Sequence, residues 1–315
     1  LPRLPGMTIA ICTRNRPEPL RRGIADIAGQ APDFPCEIMI VDDGNLSREF
    51  RQGLESMLAH RGGITFAYYR KTRPGLLYSR MLAVEQARHE VILFLDDDAR
   101  PMPGYFDRLA RWYERPQVAG VGGIDRNIRS NWRWDLFARF ILYDSRNPGK
   151  LSPSGYGGSM TRWAAMTEPF RTEYLLGCNM SFRRSALADL APAEWLQGYS
   201  MGEDLYLSDQ ALRSGELWID PSLQVDHLLS PASRDGEAKV AYTEIVNHHY
   251  LLKLKQAGMI RHAAHLWTSL GLLGRAWARR KWRHKAAPYR KAIRFVLADD
   301  WRRLTRESVS DPGNG

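Results

Sequence analysis

The sequence predicts an α/β protein: a Rossmann-like, mostly parallel sheet covered by helices, with a helical appendage at the C-terminal end. Three observations carry this. Short apolar runs without internal polarity, of which Val91–Leu95 is the clearest, read as strands buried on both faces, the kind found inside parallel sheets. These runs alternate with helical patterns at the spacing of βαβ units. Several of them end abruptly in polar or acidic residues, and open α/β sheets gather their ligands at the carboxyl ends of the strands.

In chain order, Met7–Cys12 is the first strand. It breaks into the loop Thr13-Arg14-Asn15-Arg16-Pro17 and then a helix with Leu20, Ile24 and Ile27 on one face. Cys36–Val41 is the second strand and ends in Asp42-Asp43-Gly44-Asn45. A helix from Arg48 to about Ala59 leads to a third strand, Ile64–Tyr69. A turn over Lys71–Gly75 opens a helix through Ser79, Arg80, Leu82, Ala83 and Ala87. The fourth strand, Val91–Leu95, runs into Asp96, Asp97 and Asp98, which cannot be buried within it. Pro101 and Pro103 stop it from continuing. Three adjacent carboxylates repel one another unless a cation, a proton or an Arg compensates them. A hard divalent ion carrying a phosphate is the natural compensator, and a solvated acidic turn is the plain alternative.

Beyond Pro103 the pattern gives a helix over Tyr105–Tyr113 and a Gly-rich strand over Val118–Gly123. The stretch from Asn127 to about Phe170 has no clear period. Tyr174–Phe182 reads as a short strand, Arg184–Leu190 as a helix, and Gly202–Gly215 as a helix stopped by its terminal glycine. Leu217–Asp220 and Leu223–His227 read as two short strands, and from about Ala241 the pattern is wholly helical.

With 315 residues, 44% of them hydrophobic, the chain has room for one large domain with an appendage or two modest domains. Its 45 Lys and Arg against 35 Asp and Glu give a formal charge of +10, which points to an anionic partner; much of the excess lies after residue 270. Cys12, Cys36 and Cys178 lack metal-ligand spacing and read as reduced thiols in a cytoplasmic protein. No run approaches the roughly 18 to 20 apolar residues of a membrane span. The residues ahead of Met7 hold neither an initiator Met nor a signal-peptide core and read as a short extension.

Four segments in order resemble the family 2 glycosyltransferases, inverting enzymes with the GT-A fold. They are Thr13–Arg16 with Val41–Gly44, Phe94–Asp98, Gly177–Arg183, and Gly202–Asp204. The resemblance spans roughly residues 7 to 230. It implies a nucleotide-sugar-binding half over 7–104 and an acceptor half over 105–240, within a domain of residues 1–240, followed by basic amphipathic helices over 241–315. It implies a nucleotide-diphosphate sugar donor, UDP or dTDP, held with Mn2+ or Mg2+.

By the same resemblance, Thr13, Arg14, Asn15, Arg16 and Asp43 would hold the nucleotide, Asp43 by accepting from a ring N–H. Arg80 would lie near the diphosphate. Asp98 would bind the metal directly, Asp96 would hold the ribose or support the metal, and His227 would complete a ligand set that suits Mn2+. Asp97 is counted with the donor-binding residues, although it would face the other way if the segment stays extended. Asn179 would meet the donor sugar, or else bond backbone as a buried strand-end amide. Asp226 is a candidate for orienting the His227 ring. Asp204 would be the catalytic base, with Glu203 fixing it or touching the acceptor; acids in a helix's first turn also simply suit its dipole. Polymerising members carry Gln-x-x-Arg-Trp well beyond the base. Here Gln210-Ala-Leu-Arg213 is followed by Ser214 within the helix of Glu203, so a single transfer per acceptor is expected.

The acceptor expected is a cell-envelope glycan or its lipid-linked precursor, with a small molecule as the alternative. In the tail, Leu266, Trp267, Leu270, Leu273 and Trp277 line one side of a helix from His262 to about Arg280. A second helix runs from Tyr289 to Arg306. The cations on their other faces, Arg275 and Arg302 among them, make residues 262–306 a candidate for peripheral contact with the anionic inner face of the cytoplasmic membrane, or for packing on the main domain. A nucleic-acid-binding protein would also be basic, but it has no use for acids at successive strand ends, so no nucleic-acid partner is expected.

Overall fold

The computed structural model describes residues 6–30, 32, 34–59, 62–196, 201–228 and 236–299. The N-terminal extension before Gly6 and the part of the last helix expected beyond Asp299, with Arg302, fall outside them.

The first half is built as the apolar runs predict. Strands β1 (Met7–Thr13), β2 (Cys36–Asp42), β3 (Ile64–Arg70) and β4 (Val91–Asp96) alternate with helices α1 (Pro17–Gly29), α2 (Arg48–Ala59) and α3 (Leu76–Gln86). All four strands are parallel, in the order β3-β2-β1-β4. Their register brings Thr13 level with Asp42, and Cys12 level with Asp96. The loops that follow β1, β2 and β4 therefore meet at one edge of the sheet.

The second half extends the sheet with mixed strands. After β5 (Ala99–Pro101) and α4 (Tyr105–Trp112) come β6 (Val118–Asp125), α5 (Trp132–Phe140), β7 (Phe170–Thr172), β8 (Asn179–Arg183), α6 (Glu203–Ala211) and β9 (Glu216–His227). The order continues from β4 through β8, β6 and β9 to β5, with β7 also paired to β9. β8 is antiparallel to β4 and β6, whereas β6 and β9 are parallel. The glycines of β6 have a packing reason: a Cβ on Gly123 would lie 1.6 Å from the Leu223 carbonyl oxygen of β9.

Four local expectations change. The two strands foreseen around Pro221 are one strand, β9, with register shifts against β6. Pro101 does not end the sheet; it sits in β5 at the edge, where a missing N–H is tolerated. The helix expected over Arg184–Leu190 is a single 3-10 turn, Arg184–Leu187. The patternless stretch contains α5, capped by Asn131, whose side chain accepts from the Arg133 and Trp134 N–H groups.

Two cores cover the sheet. One holds Ile9, Ile24, Ile38, Leu93 and Leu109; the other holds Met39, Phe94, Met180, Leu207 and Ile219. A third core joins α5 to α7 (Glu237–Leu254), α8 (Met259–Ala278) and α9 (Ala286–Ala298). α7 ties this bundle to the sheet: Leu251 enters the second core, and the Asn247 amide donates to the Met201 carbonyl. The faces of α8 divide differently from the expectation. Leu272 and Leu273 are buried and Arg275 lies over the Trp134 ring, while Trp267, Leu270 and Trp277 remain exposed.

Candidate active site

A cavity of about 410 Å³ opens at the shared strand edge, lined among others by Thr13, Arg14, Arg16, Asp43, Arg80, Asp96, Asp97, Glu203, Asp204 and His227. Most of the residues singled out in the sequence thus converge, although they come from six different elements and their loops.

The acidic triplet marks the centre. β4 ends at Asp96, and Asp97 and Asp98 form a tight turn into β5, so the segment does not stay extended. Asp97 consequently does not turn away. It lines the cavity, accepts from the Thr13 hydroxyl at 2.6 Å, and pairs with Arg16 at 2.5 Å. Burial pushes its carboxyl up to about 7 in spite of these partners. Arg16 also pairs with Asp98.

His227, the last residue of β9, turns its Nε2 toward Asp98 at 3.0 Å and Asp96 at 3.7 Å. Its Nδ1 faces Asp125 at 3.5 Å. Burial disfavours a charged ring here, yet bonding to Asp125, Asp98 and Cys178 outweighs burial and pushes His227 up to about 12. The site therefore concentrates negative charge where Asp96, Asp98 and His227 bring their ligand atoms within 4.8 Å of one another. Two carboxylates and an imidazole suit Mn2+ or a similar divalent ion. An ion there would displace the proton that the acids now attract to the ring. Asp125, at the end of β6, was not singled out in the sequence, and it replaces Asp226 as the group oriented on the ring. Asp226 instead pairs with Arg126 at 3.3 Å. The signal for Asp125 was the one that marks Asp96: an acid closing an apolar run.

On the other wall, Arg80 is 2% exposed in α3 and far from a solvated helix Arg. It donates to Glu203 Oε1 and to the Gly177 carbonyl, each at 2.9 Å, and stands 3.9 Å from Asp96. Glu203 opens α6 and is buried against Arg80. Burial pushes it up to about 8, opposed by Arg80 and aided by Asp204. Asp204 lines the cavity and is less buried. Burial raises it too, against Arg80 and the backbone N–H groups of Leu205 and Gly177.

Three expected residues sit differently. Asp43 lines the cavity, but Lys71, which the sequence placed only in a turn, holds it at 2.8 Å while the Gly75 N–H donates to it at 3.1 Å. Asn15 is not in the wall; its side chain accepts from the Asn45 N–H at 3.1 Å and joins the loops after β1 and β2. Asn179 is fully buried and is not in the cavity wall. It accepts from the Tyr105 hydroxyl and donates to the Leu223 carbonyl at 3.0 Å, so it bonds structure and not sugar.

The model of the family described as glycosyl transferase family 2 matches residues 8–190. Polypeptide N-acetylgalactosaminyltransferase 10 of Rattus norvegicus is 22% identical over 251 residues, covering 75% of this chain and 37% of the relative. Polypeptide N-acetylgalactosaminyltransferase 3 of Drosophila melanogaster is 22% identical over 285 residues, covering 81% of this chain and 41% of the relative. The chain spans about two fifths of the length of these curated relatives. Among solved structures, the mannosyltransferase PcManGT from Pyrobaculum calidifontis in complex with GDP-Man and Mn2+ superposes with a TM-score of 0.58 at 15% identity, covering 95% of this chain and 88% of that one. GalNAc-T7 with UDP, GalNAc and Mn2+ gives a TM-score of 0.57 at 15% identity, covering 93% of this chain and 56% of that one.

Proposed function

The chain belongs to glycosyl transferase family 2 and has the GT-A fold, and from that premise we propose that it transfers one sugar from a nucleotide-diphosphate sugar to a hydroxyl acceptor with inversion. The observation that carries the reading is the opposition, across one cavity, of a cation-seeking cluster (Asp96 and His227 in the wall, with Asp98 within reach of both) and a helix N-terminus bearing Asp204, with Arg80 between them.

In this reading Asp96, Asp98 and His227 hold a divalent cation, Mn2+ by donor type, and Asp125 orients the His227 ring. When bound, the cation supplies charge neutralisation for the diphosphate. Arg80 adds a fixed positive charge 3.9 Å from Asp96, kept in place by Glu203 and the Gly177 carbonyl. Asp204 accepts the proton of the acceptor hydroxyl as that oxygen bonds to the anomeric carbon. The bond from that carbon to the diphosphate oxygen breaks, and its electron pair leaves with the nucleotide. Glu203 acts on Arg80 and not as the base, since its carboxylate is already engaged.

Arg14 and Asp43, both in the cavity wall, receive the nucleoside. We assign uracil or thymine as its base, with support from the UDP bound by GalNAc-T7, while PcManGT carries a guanosine donor. The acceptor we assign is a cell-envelope glycan or its lipid-linked precursor, met by a cytoplasmic enzyme at the inner face of the membrane. Residues 1–240 would form the catalytic domain and 241–315 the appendage. A thermal-shift panel of UDP, dTDP and GDP with and without Mn2+ tests the donor reading. A Mn2+-dependent rise with one of the three is expected, and no response to any would overturn it.

A further inference from the structure

Two helices carry apolar stripes on the side that faces solvent. On α5 the stripe is Trp132, Leu136 and Phe140, four residues apart and 71%, 67% and 66% exposed. On α8 it is Ile260, Trp267, Leu270 and Trp277, exposed by 86%, 45%, 47% and 58%, and the intervening exposed positions, Ala263 and Gly274, are also uncharged. A surface helix ordinarily places its polar side there. The two stripes adjoin. The Trp267 indole donates to the Phe140 carbonyl at 2.9 Å and its ring meets Phe140 at 5.6 Å, while Thr268 donates to the Ile141 carbonyl at 2.6 Å.

Cations border this surface. No Asp or Glu occurs between Met259 and Ala298, and Arg279, Arg280, Lys281 and Arg283 follow the Trp277 end of α8 as exposed residues. Arg133 and Arg139 flank the α5 stripe. Among the described residues no helix is long and apolar enough to cross a membrane.

We propose that the joint α5–α8 face docks on the surface of an anionic lipid bilayer, with Trp132, Leu136, Phe140 and Trp277 in the headgroup boundary and the Arg and Lys border on lipid phosphates. Charge selects this occupant. Two copies joined through the face would set like cations against each other, and a nucleic acid gains nothing from exposed Ile and Leu. Trp and Leu beside clustered Arg and Lys is the composition of an interfacial helix. The face differs from the basic sides of the tail helices considered from sequence alone, because half of it comes from α5. Its position has a consequence for the site: Asp125, Asn127 and Ile128 line or border the cavity, and the chain runs from them directly into α5. If the transfer reading holds, a lipid-linked acceptor would reach the cavity from this side. The binding itself does not depend on that reading.

The test is sedimentation of the full chain with vesicles of phosphatidylcholine alone or mixed with phosphatidylglycerol, at low and at high salt. Two variants accompany it: Trp132→Ser/Leu136→Ser/Phe140→Ser, and Arg279→Glu/Arg280→Glu/Lys281→Glu/Arg283→Glu. Their substituted side chains are exposed, and circular dichroism and melting temperature confirm folding. The parent is expected to bind phosphatidylglycerol vesicles with a salt-sensitive affinity, and each variant to bind roughly tenfold or more weakly. An absence of binding by the parent would overturn the proposal. So would undiminished binding by the apolar variant, or concentration-dependent dimerisation that the same substitutions abolish. Nucleotide binding without vesicles reports separately on the transfer reading.

Discussion

Replacing Arg80 by Met removes a buried cation while keeping most of its volume. Glu203 loses a partner at 2.9 Å and the Gly177 carbonyl loses a donor at the same distance. Breaking a buried pair by removing one member costs about 3–5 kcal/mol, chiefly because the survivor is left uncompensated. Burial holds Glu203 at about 8 even with Arg80 beside it, so at pH 7 the abandoned carboxyl keeps a proton and strands no charge. The cost therefore falls at the low end, about 3 kcal/mol. Glu203→Gln keeps an acceptor for Arg80 and costs about 1 kcal/mol. In the double variant Arg80 is absent, so the cost of depriving it of a charged acceptor does not arise again, and the loss should be about 1 kcal/mol less than the sum of the single losses. Urea unfolding of the four proteins at pH 7, with m-values checked for constancy, measures this. Single losses that add to within about 0.5 kcal/mol would refute the coupling. Arg80→Met should also weaken nucleotide-diphosphate binding, and undiminished binding would separate Arg80 from the leaving group.

Asp204 must be deprotonated to accept a proton, and burial raises it, so kcat/KM should climb with pH through a limb above the usual carboxylate range; a limb at about 4 or lower would contradict this. Glu203 has a folded-state value of about 8 above its ordinary 4.5. Its contribution to stability is full below 4.5 and is lost as pH rises toward 8, so Glu203→Gln should flatten the decline in urea midpoint over that interval; an unchanged slope would count against it. Gly123→Ala forces a Cβ against the Leu223 backbone and should lower stability by about 3 kcal/mol or more, seen as insolubility or a strongly reduced melting temperature; melting like the parent would show that the strands yield easily.

The parallel half of the fold was legible because β1, β2 and β4 are buried on both faces and written as mostly apolar runs, while β3 at the sheet edge keeps a β-branched and aromatic composition, and the loops carry most of the polar residues. β9 was harder to read, since Pro221 and Asp220 interrupt a single strand whose bulge absorbs them. α5 escaped because Trp132, Leu136 and Phe140 on its outer side are as apolar as Trp134 and Phe137 on its inner side, which removes the contrast that reveals a helix. The direction of Asp97 was not legible for a related reason: alternation along a strand says where a side chain points only while the strand lasts, and here a turn begins at that residue. Asp125 carried the strand-end signal of Asp96, but its partner, like that of Lys71, became visible only through contacts between elements distant in the chain.

In the proposed reaction one group of residues holds the leaving nucleotide while another moves the proton. Parallel calorimetry and transfer assays on Asp98→Ala and Asp204→Asn, with Mn2+ present and after chelation, test it directly. Asp98→Ala is expected to lose Mn2+-dependent nucleotide binding. Asp204→Asn is expected to bind as the parent does, with the same loss on chelation, and to transfer about 10²–10⁴-fold more slowly. Parent-like binding by Asp98→Ala, or full transfer by Asp204→Asn, would contradict the claim.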